Sequence, residues 1–257
     1  MTPSSSAPLH RITPPELIVV MPVYNEAEVV ESVVHEWLKM LDGLNVSYRL
    51  QVCDDGSTDQ TAGVLDHLSH PSLEIHHARN RGHGPTVLRA FKVAASRSPW
   101  IFQTDSDGEI PASAFPEFWQ ARKQADFVVG FRENRISPPD RQIITSVLRG
   151  IMWLLFGRRL RDGNCPYRLM RSETFRPLFD QLPEDSFAPN VLISGFSVLD
   201  RLRILELSVP HHPRQTGVCS IRKLKLLRAA LLSARQTLSF RMRYKRKSKY
   251  AGTQSKS

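Results

Sequence analysis

Cysteine is scarce in this chain. Its 257 residues contain only Cys53, Cys165 and Cys219, too few and too widely separated for a disulfide framework or a zinc module. A reducing, cytosolic compartment fits that usage best. Long hydrophobic runs are missing too: Ile151 to Phe156 is almost wholly apolar, but far shorter than the roughly 20 residues that span a bilayer. The opening MTPSSSAPLHRITPPE has no apolar centre, so it fits neither a signal peptide nor a membrane span, and residues 1–15 are expected to be a disordered lead-in. Acidic residues stop at Glu206, after which there are 13 Lys and Arg. The net charge of +10 therefore belongs to the C-terminal part, and the remainder carries about −3. Such a tail suits phosphate-rich partners, a membrane surface or nucleic acid. It carries few aromatics among its cations and no recognisable binding module, so nucleic acid is not expected. No internal repeat is visible.

What the chain does have is an alternation of short β-branched runs and amphipathic stretches over its first 130 residues, the pattern of an α/β sheet. Strands are predicted at 17–21, 48–53, 73–77, 100–104 and 126–130, and helices at 26–41, 59–68, 86–95 and 112–123. The first strand, Leu17 to Met21, is nearly all apolar, as a buried parallel strand is. Further on, 141–156 and 221–242 have amphipathic patterns that suit either a membrane surface or packing on the domain. Residues 243–257 read as a basic disordered tail.

Polar and charged residues recur where strands end, the place where open α/β sheets bind ligands. Five such loops are Tyr24 to Glu26, Asp54-Asp55, Arg79 to Gly84, Asp105 to Glu109 and Arg132 to Arg135. Three acids within Asp105-Ser106-Asp107-Gly108-Glu109 form either a solvated turn or a site for a hard cation such as Mg2+ or Mn2+, which borrows further ligands from substrate phosphates. In Asp54 to Asp59, Ser57 or Asp59 can cap the next helix, which leaves Asp54 and Asp55 free to accept from a base or ribose. Gly82 and Gly84 permit close backbone approach before a helix N-terminus, but their spacing fits neither the dinucleotide fingerprint nor the Walker loop.

Taken together, Pro22-Val23-Tyr24-Asn25-Glu26, Asp54-Asp55-Gly56-Ser57-Thr58-Asp59, Asn80-Arg81-Gly82-His83-Gly84 and Gln103-Thr104-Asp105-Ser106-Asp107-Gly108 resemble glycosyltransferase family 2. Within that family the chain is similar to polyprenyl- and dolichol-phosphate sugar transferases. The likeness covers roughly residues 16–215. It implies an α/β, A-type glycosyltransferase fold with a mostly parallel central sheet flanked by helices, over a catalytic domain of 16–220, followed by the amphipathic helix and the tail.

The resemblance also implies roles. Pro22, Tyr24 and Glu26 would surround the nucleotide base, Asp54 or Asp55 would contact base or ribose, and Gly82 and Ser106 would belong to the same nucleotide-sugar site. Asp105 would serve ribose and metal, Asp107 would be the principal metal ligand, and Glu109, where the family often has Gln, an additional one. Arg132 and Arg135 would meet the donor diphosphate or the acceptor phosphate. Arg168 is a further phosphate candidate in Asp162 to Arg168, where Pro166 replaces the family's glycine. His211, His212 and Arg214 would lie in a loop able to close over the diphosphate.

The implied reaction is inverting, metal-dependent transfer of a sugar from a UDP- or GDP-sugar to a polyprenyl phosphate, by a peripheral enzyme at the cytosolic membrane face. An acceptor phosphate is already anionic, so no general base is required, and the sequence offers arginines more clearly than a base. The alternatives are the same donor chemistry with a non-lipid glycan or small-molecule acceptor and, in another class, a basic-tailed nucleic-acid-binding protein.

Overall fold

The structure, a computed structural model, describes residues 14–132, 156–157, 160–212 and 234–244. The described residues form seven strands, β1 (Leu17–Val23), β2 (Tyr48–Asp54), β3 (Leu73–His77), β4 (Trp100–Gln103), β5 (Phe127–Arg132), β6 (Arg168–Arg171) and β7 (Ile204–Val209). They form one sheet in the order β3-β2-β1-β4-β6-β5-β7. Pairing is parallel except on either side of β6, which is antiparallel to both β4 and β5. Because β4 and β5 each oppose β6, they run the same way, and the ends of β1 to β5 lie along one edge.

Helices α1 (Val30–Asp42), α2 (Thr61–Asp66), α3 (His83–Arg97), α4 (Phe115–Ala121), α5 (Ser172–Gln181) and α6 (Pro189–Leu199) surround the sheet, and residues 234–244 are also helical. All seven residues of β1 are buried, which is why its sequence is continuously apolar rather than alternating. Helix α1 turns Val30, Val33, Val34, Trp37, Leu38 and Leu41 inward, an i, i+3/i+4 stripe. Trp37 meets Phe102, Phe115 and Tyr167, and the Phe102 ring lies edge-on to Phe115 and Tyr167 at 4.6 Å between centroids. This aromatic cluster sits beneath the loop after β4. The Tyr167 hydroxyl donates to the Pro111 carbonyl at 3.2 Å, and Ala112 N donates to Glu36 Oε1 at 2.8 Å, so the far end of that loop is pinned to the core.

Several boundaries differ from the sequence reading, four of them by enough to matter for the site or the sheet. The predicted helix at 26–41 begins only at Val30, because Asn25 is in the left-handed region (φ 56°) and turns the chain first. Helix α3 begins earlier, at His83, with Gly82 as its cap at φ 95°. The predicted helix at 112–123 is a 3-10 turn, Ala112–Ala114, leading into α4. The strand series does not stop at 130: β6 and β7 complete the sheet. Most of 141–156 and 221–242, together with residues 245–257, lies outside the described residues.

Where 221–242 is described, it packs on the domain. Thr237 and Phe240 are buried, Gln236 Oε1 accepts from Phe187 N at 2.9 Å, and Tyr244 contacts the Phe196 ring. Among the described residues no helix is long and apolar enough to cross a membrane.

Candidate active site

The loops after β1 and β2 are tied to each other. Asn25 N donates to Ser57 Oγ at 3.0 Å, Thr58 N to Asn25 Oδ1 at 2.8 Å, and Glu26 N to Thr61 Oγ1 at 2.9 Å. This shapes the shelf on which Tyr24 stands 38% exposed, while Pro22 is buried within β1. Such an exposed aromatic at a strand end offers a stacking face.

Asp54 and Asp55 are both buried, and their carboxylates have partners inside the protein. Asp54 Oδ1 accepts from Ser57 N and Oγ at 3.0 and 2.6 Å, and Asp54 Oδ2 lies 3.0 Å from His77 Nδ1. That bond, with a second to Asp66, raises the His77 pKa above its ordinary value. Asp55 accepts from Arg81 N at 2.9 Å, Gly82 N at 2.8 Å and Thr86 Oγ1 at 2.6 Å, so it fixes the entry to α3. Gly56, at φ 68°, has no room for a side chain: a Cβ there would sit 2.5 Å from Asn80 N.

The acidic loop leaves the carboxyl end of β4. Burial pushes the Asp105 carboxyl above the usual carboxylate range; His83 and Arg132 pull it back, and Glu109 pushes it further up. Asp105 Oδ1 is sealed from solvent and has no hydrogen-bond partner among the described residues. Asp107 Oδ1 accepts from Glu109 N at 3.1 Å across the turn made by Gly108 at φ 69°. Glu109 faces the chain that follows β7, with Oε2 3.0 Å from His211 Nε2 and its carbonyl accepting from His212 N at 2.8 Å. Ser106 is buried beside them.

The two described arginines of the expected set differ. Arg132 Nε donates to Asp162 Oδ2 at 2.7 Å in a nearly buried ion pair. Burial opposes its charge, but Asp162 outweighs burial and holds the Arg132 pKa above its ordinary value. Arg168 is fully buried, and burial lowers its pKa to about 10. Its guanidinium donates to the carbonyls of Cys165, Asn190 and Gly163, at 2.9, 3.0 and 3.3 Å, so it ties the loop before β6 to the start of α6. That placement gives Arg168 a structural task and no open face for a phosphate. Burial likewise pushes the Cys165 thiol up to about 11, which fits packing rather than nucleophilic use. Arg135 and Arg214 lie outside the described residues.

Among the described residues no three His, Cys, Asp or Glu side chains converge as a complete metal cage. A divalent cation that borrows phosphate oxygens and keeps waters needs only one or two protein carboxylates. Asp107, with the unpartnered Oδ1 of Asp105 two residues away, fits that incomplete kind of site. Glu109 fits less directly, since His211 already faces its carboxylate.

The loop after β4 thus brings together Asp105, Ser106, Asp107 and Glu109, and Arg132 and His83 act on Asp105 through their charge. Sequence reasoning assigned no part to His83, His77 or Gln103. Gln103 is buried just before the acidic loop, and both its side-chain amide atoms are unpartnered among the described residues. A buried polar residue at the end of an apolar strand was the one available signal.

These features, a mostly parallel sheet with its acidic loop at the carboxyl edge, define the A-type glycosyltransferase fold. Solved structures agree. Glucosyl-3-phosphoglycerate synthase from Mycobacterium tuberculosis, in complex with Mn2+, UDP-glucose and phosphoglyceric acid, superposes with a TM-score of 0.65 at 16% identity, over 88% of this chain and 80% of that one. Mannosyl-3-phosphoglycerate synthase from Rubrobacter xylanophilus gives 0.62 at 17% identity, over 91% and 75%.

The family model Glycosyl transferase family 2 matches residues 18–179, and the chain belongs to that family. Curated relatives include the undecaprenyl-phosphate 4-deoxy-4-formamido-L-arabinose transferases of Edwardsiella ictaluri, 24% identical over 214 residues, and Proteus mirabilis, 26% identical over 216. Each alignment covers 81% of this chain, which spans 64% of the length of each relative.

Proposed function

We propose that this chain is an inverting glycosyltransferase that moves a sugar from a UDP- or GDP-sugar to a polyprenyl phosphate, with Mg2+ or Mn2+. The observation that carries the reading is Asp105 Oδ1, a sealed carboxylate oxygen with no partner among the described residues, close in sequence to Asp107 at the carboxyl end of β4. Family membership supports the transferase class, and the named substrates of the curated relatives support the acceptor class.

Asp107 and Asp105 would hold the cation, which when bound stabilises the charge gathering on the departing nucleoside diphosphate. The protein's own part is positional. Tyr24, on the shelf tied by Asn25 and Ser57, offers its ring to the base. Asp55 holds the Arg81–Gly82 backbone, so the start of α3 and its dipole stay fixed toward the sheet edge. Arg132, held by Asp162, keeps positive charge near the developing anion. An oxygen of the acceptor phosphate attacks the anomeric carbon as the bond from that carbon to the diphosphate oxygen breaks. That phosphate is already ionised, so no side chain has to remove a proton.

We place the enzyme peripherally at the cytosolic face of a membrane, held by the C-terminal cations. Each Lys or Arg near an anionic surface contributes roughly 1 kcal/mol.

The test is a panel of UDP- and GDP-sugars with Mn2+ or Mg2+ and undecaprenyl phosphate, following label into the organic phase. Label that appears with one donor and vanishes with EDTA supports the reading. Transfer confined to a water-soluble acceptor contradicts the acceptor assignment.

A further inference from the structure

A second basic feature lines the loop after β3 and the adjoining face of α3. A recess of about 170 Å³ is lined by Arg79, Arg81, Pro85, Arg89, Lys92 and Glu184 among others. None of the four cationic side chains makes a hydrogen bond or ion pair among the described residues. Other arginines are paired with carboxylates: Arg97, at the other end of α3, is bidentate with Glu74 at 2.6 and 2.7 Å, and Arg171 and Arg203 share Asp126. Four like charges around one cavity repel one another, with only Glu184 among the described lining residues to offset them. An anion in the cavity removes that cost.

The walls are built rather than incidental. Pro85, Arg89 and Lys92 follow at i, i+4 and i+7 on α3, so they share one helix face. Arg79 and Arg81 precede the helix in the loop whose backbone Asp55 grips. Gly84 lets that loop pack against the opposite wall: a Cβ there would sit 2.2 Å from the Ser186 carbonyl oxygen and 2.5 Å from that of Phe187.

The same wall carries exposed apolar side chains. Three residues beyond Glu184, Phe187 is 40% exposed, and its N–H is held by Gln236 of the 234–244 helix. On that helix Leu238 and Met242, one turn apart, are 47% and 58% exposed, with Arg235 and Arg243 also exposed. A phosphate-sized basic recess joined through one short loop to apolar side chains and more cations matches the chemistry of a lipid at the membrane interface, with an anionic head and an acyl boundary.

We propose that this recess binds the phosphate of an anionic glycerophospholipid head group, while Phe187, Leu238 and Met242 enter the acyl boundary. The proposal deepens the membrane placement made above and rests on it. Arg89 and Lys92, on which its test turns, have no part in the donor chemistry proposed above.

The test is co-sedimentation of the full chain with phosphatidylcholine vesicles, with and without phosphatidylglycerol. The wild type should bind only the anionic vesicles. Arg89→Ala with Lys92→Ala should weaken that binding about tenfold, while Lys39→Ala with Lys123→Ala, an exposed pair elsewhere, should change it by less than about twofold. Glu184→Gln, which removes the one carboxylate among the described lining residues, should tighten it, a gain that misfolding does not produce. Equal loss in both double variants overturns the recess and leaves the membrane placement standing. Absence of wild-type binding overturns both.

Discussion

His211 Nε2 lies 3.0 Å from Glu109 Oε2, a contact between residues 102 apart in sequence that lays the chain after β7 on the acidic loop. Glu109 is thereby partly committed to holding that segment, and His212 N reinforces the tie through the Glu109 carbonyl. Glu109→Gln keeps a hydrogen-bonding side chain there and should retain transfer activity to within about tenfold. Asp107→Ala should lose at least about 100-fold, the scale of removing one preorganised electrostatic group. Initial rates for the two variants under saturating Mn2+ check the ranking.

Asp105 should be a residue that lowers stability. Its folded pKa is raised, so ionising it costs folding free energy at every pH above that value, and the cost disappears as pH falls below the unfolded value of about 3.9. Asp105→Asn should therefore melt higher than the wild type at neutral pH in EDTA. About 1 kcal/mol of relief corresponds to a rise of about 2–4 °C for a domain of this size. The gap should close on acidification, and activity should be lost. Scanning calorimetry across pH measures the first and transfer assays the second.

The Arg132–Asp162 pair behaves in the opposite sense. Its side chains are 8% and 14% exposed, so removing the carboxylate leaves a nearly buried guanidinium uncompensated. Asp162→Ala should cost about 3–5 kcal/mol of folding free energy, measured by urea unfolding.

His77 gives a pH dependence. Its pKa is raised, chiefly by the bond to Asp54, with burial opposing and Asp66 assisting. The stabilisation is fully present below the unfolded pKa of about 6.5 and is lost as pH rises through the higher folded value. With the ring 38% exposed, solvent screens the effect and its size stays modest. The urea midpoint should decline as pH rises above about 6.5 in the wild type and stay flatter in His77→Gln.

The five strands that alternate with helices were legible because each is a short apolar run bounded by turn residues, and their common edge followed from that alternation. β6 was not legible. Its sequence, Arg168-Leu169-Met170-Arg171, begins and ends on arginine, which reads as solvated chain. Carbonyls of Cys165, Asn190 and Gly163 satisfy the Arg168 charge, and only the fold brings those together. The acidic loop was visible as a cluster, but not the sealing of the Asp105 Oδ1 atom that sets Asp105 apart from Asp107. Asp54 and Asp55 looked free for a ligand because Ser57 or Asp59 can cap the next helix and neither of the two is needed for that. Their partners, His77 and the Arg81–Gly82 backbone, stand on the next strand and the loop beyond it, a proximity that sequence spacing does not reveal.

The central claim is that Asp105 and Asp107 form a cation site completed by the donor diphosphate. Isothermal titration of Mn2+ in the presence of a saturating nucleoside diphosphate tests it most directly. The account predicts one bound Mn2+ per wild-type chain and loss of that binding in Asp107→Ala, with folding unchanged by circular dichroism. Equal Mn2+ affinity in the two proteins would contradict it.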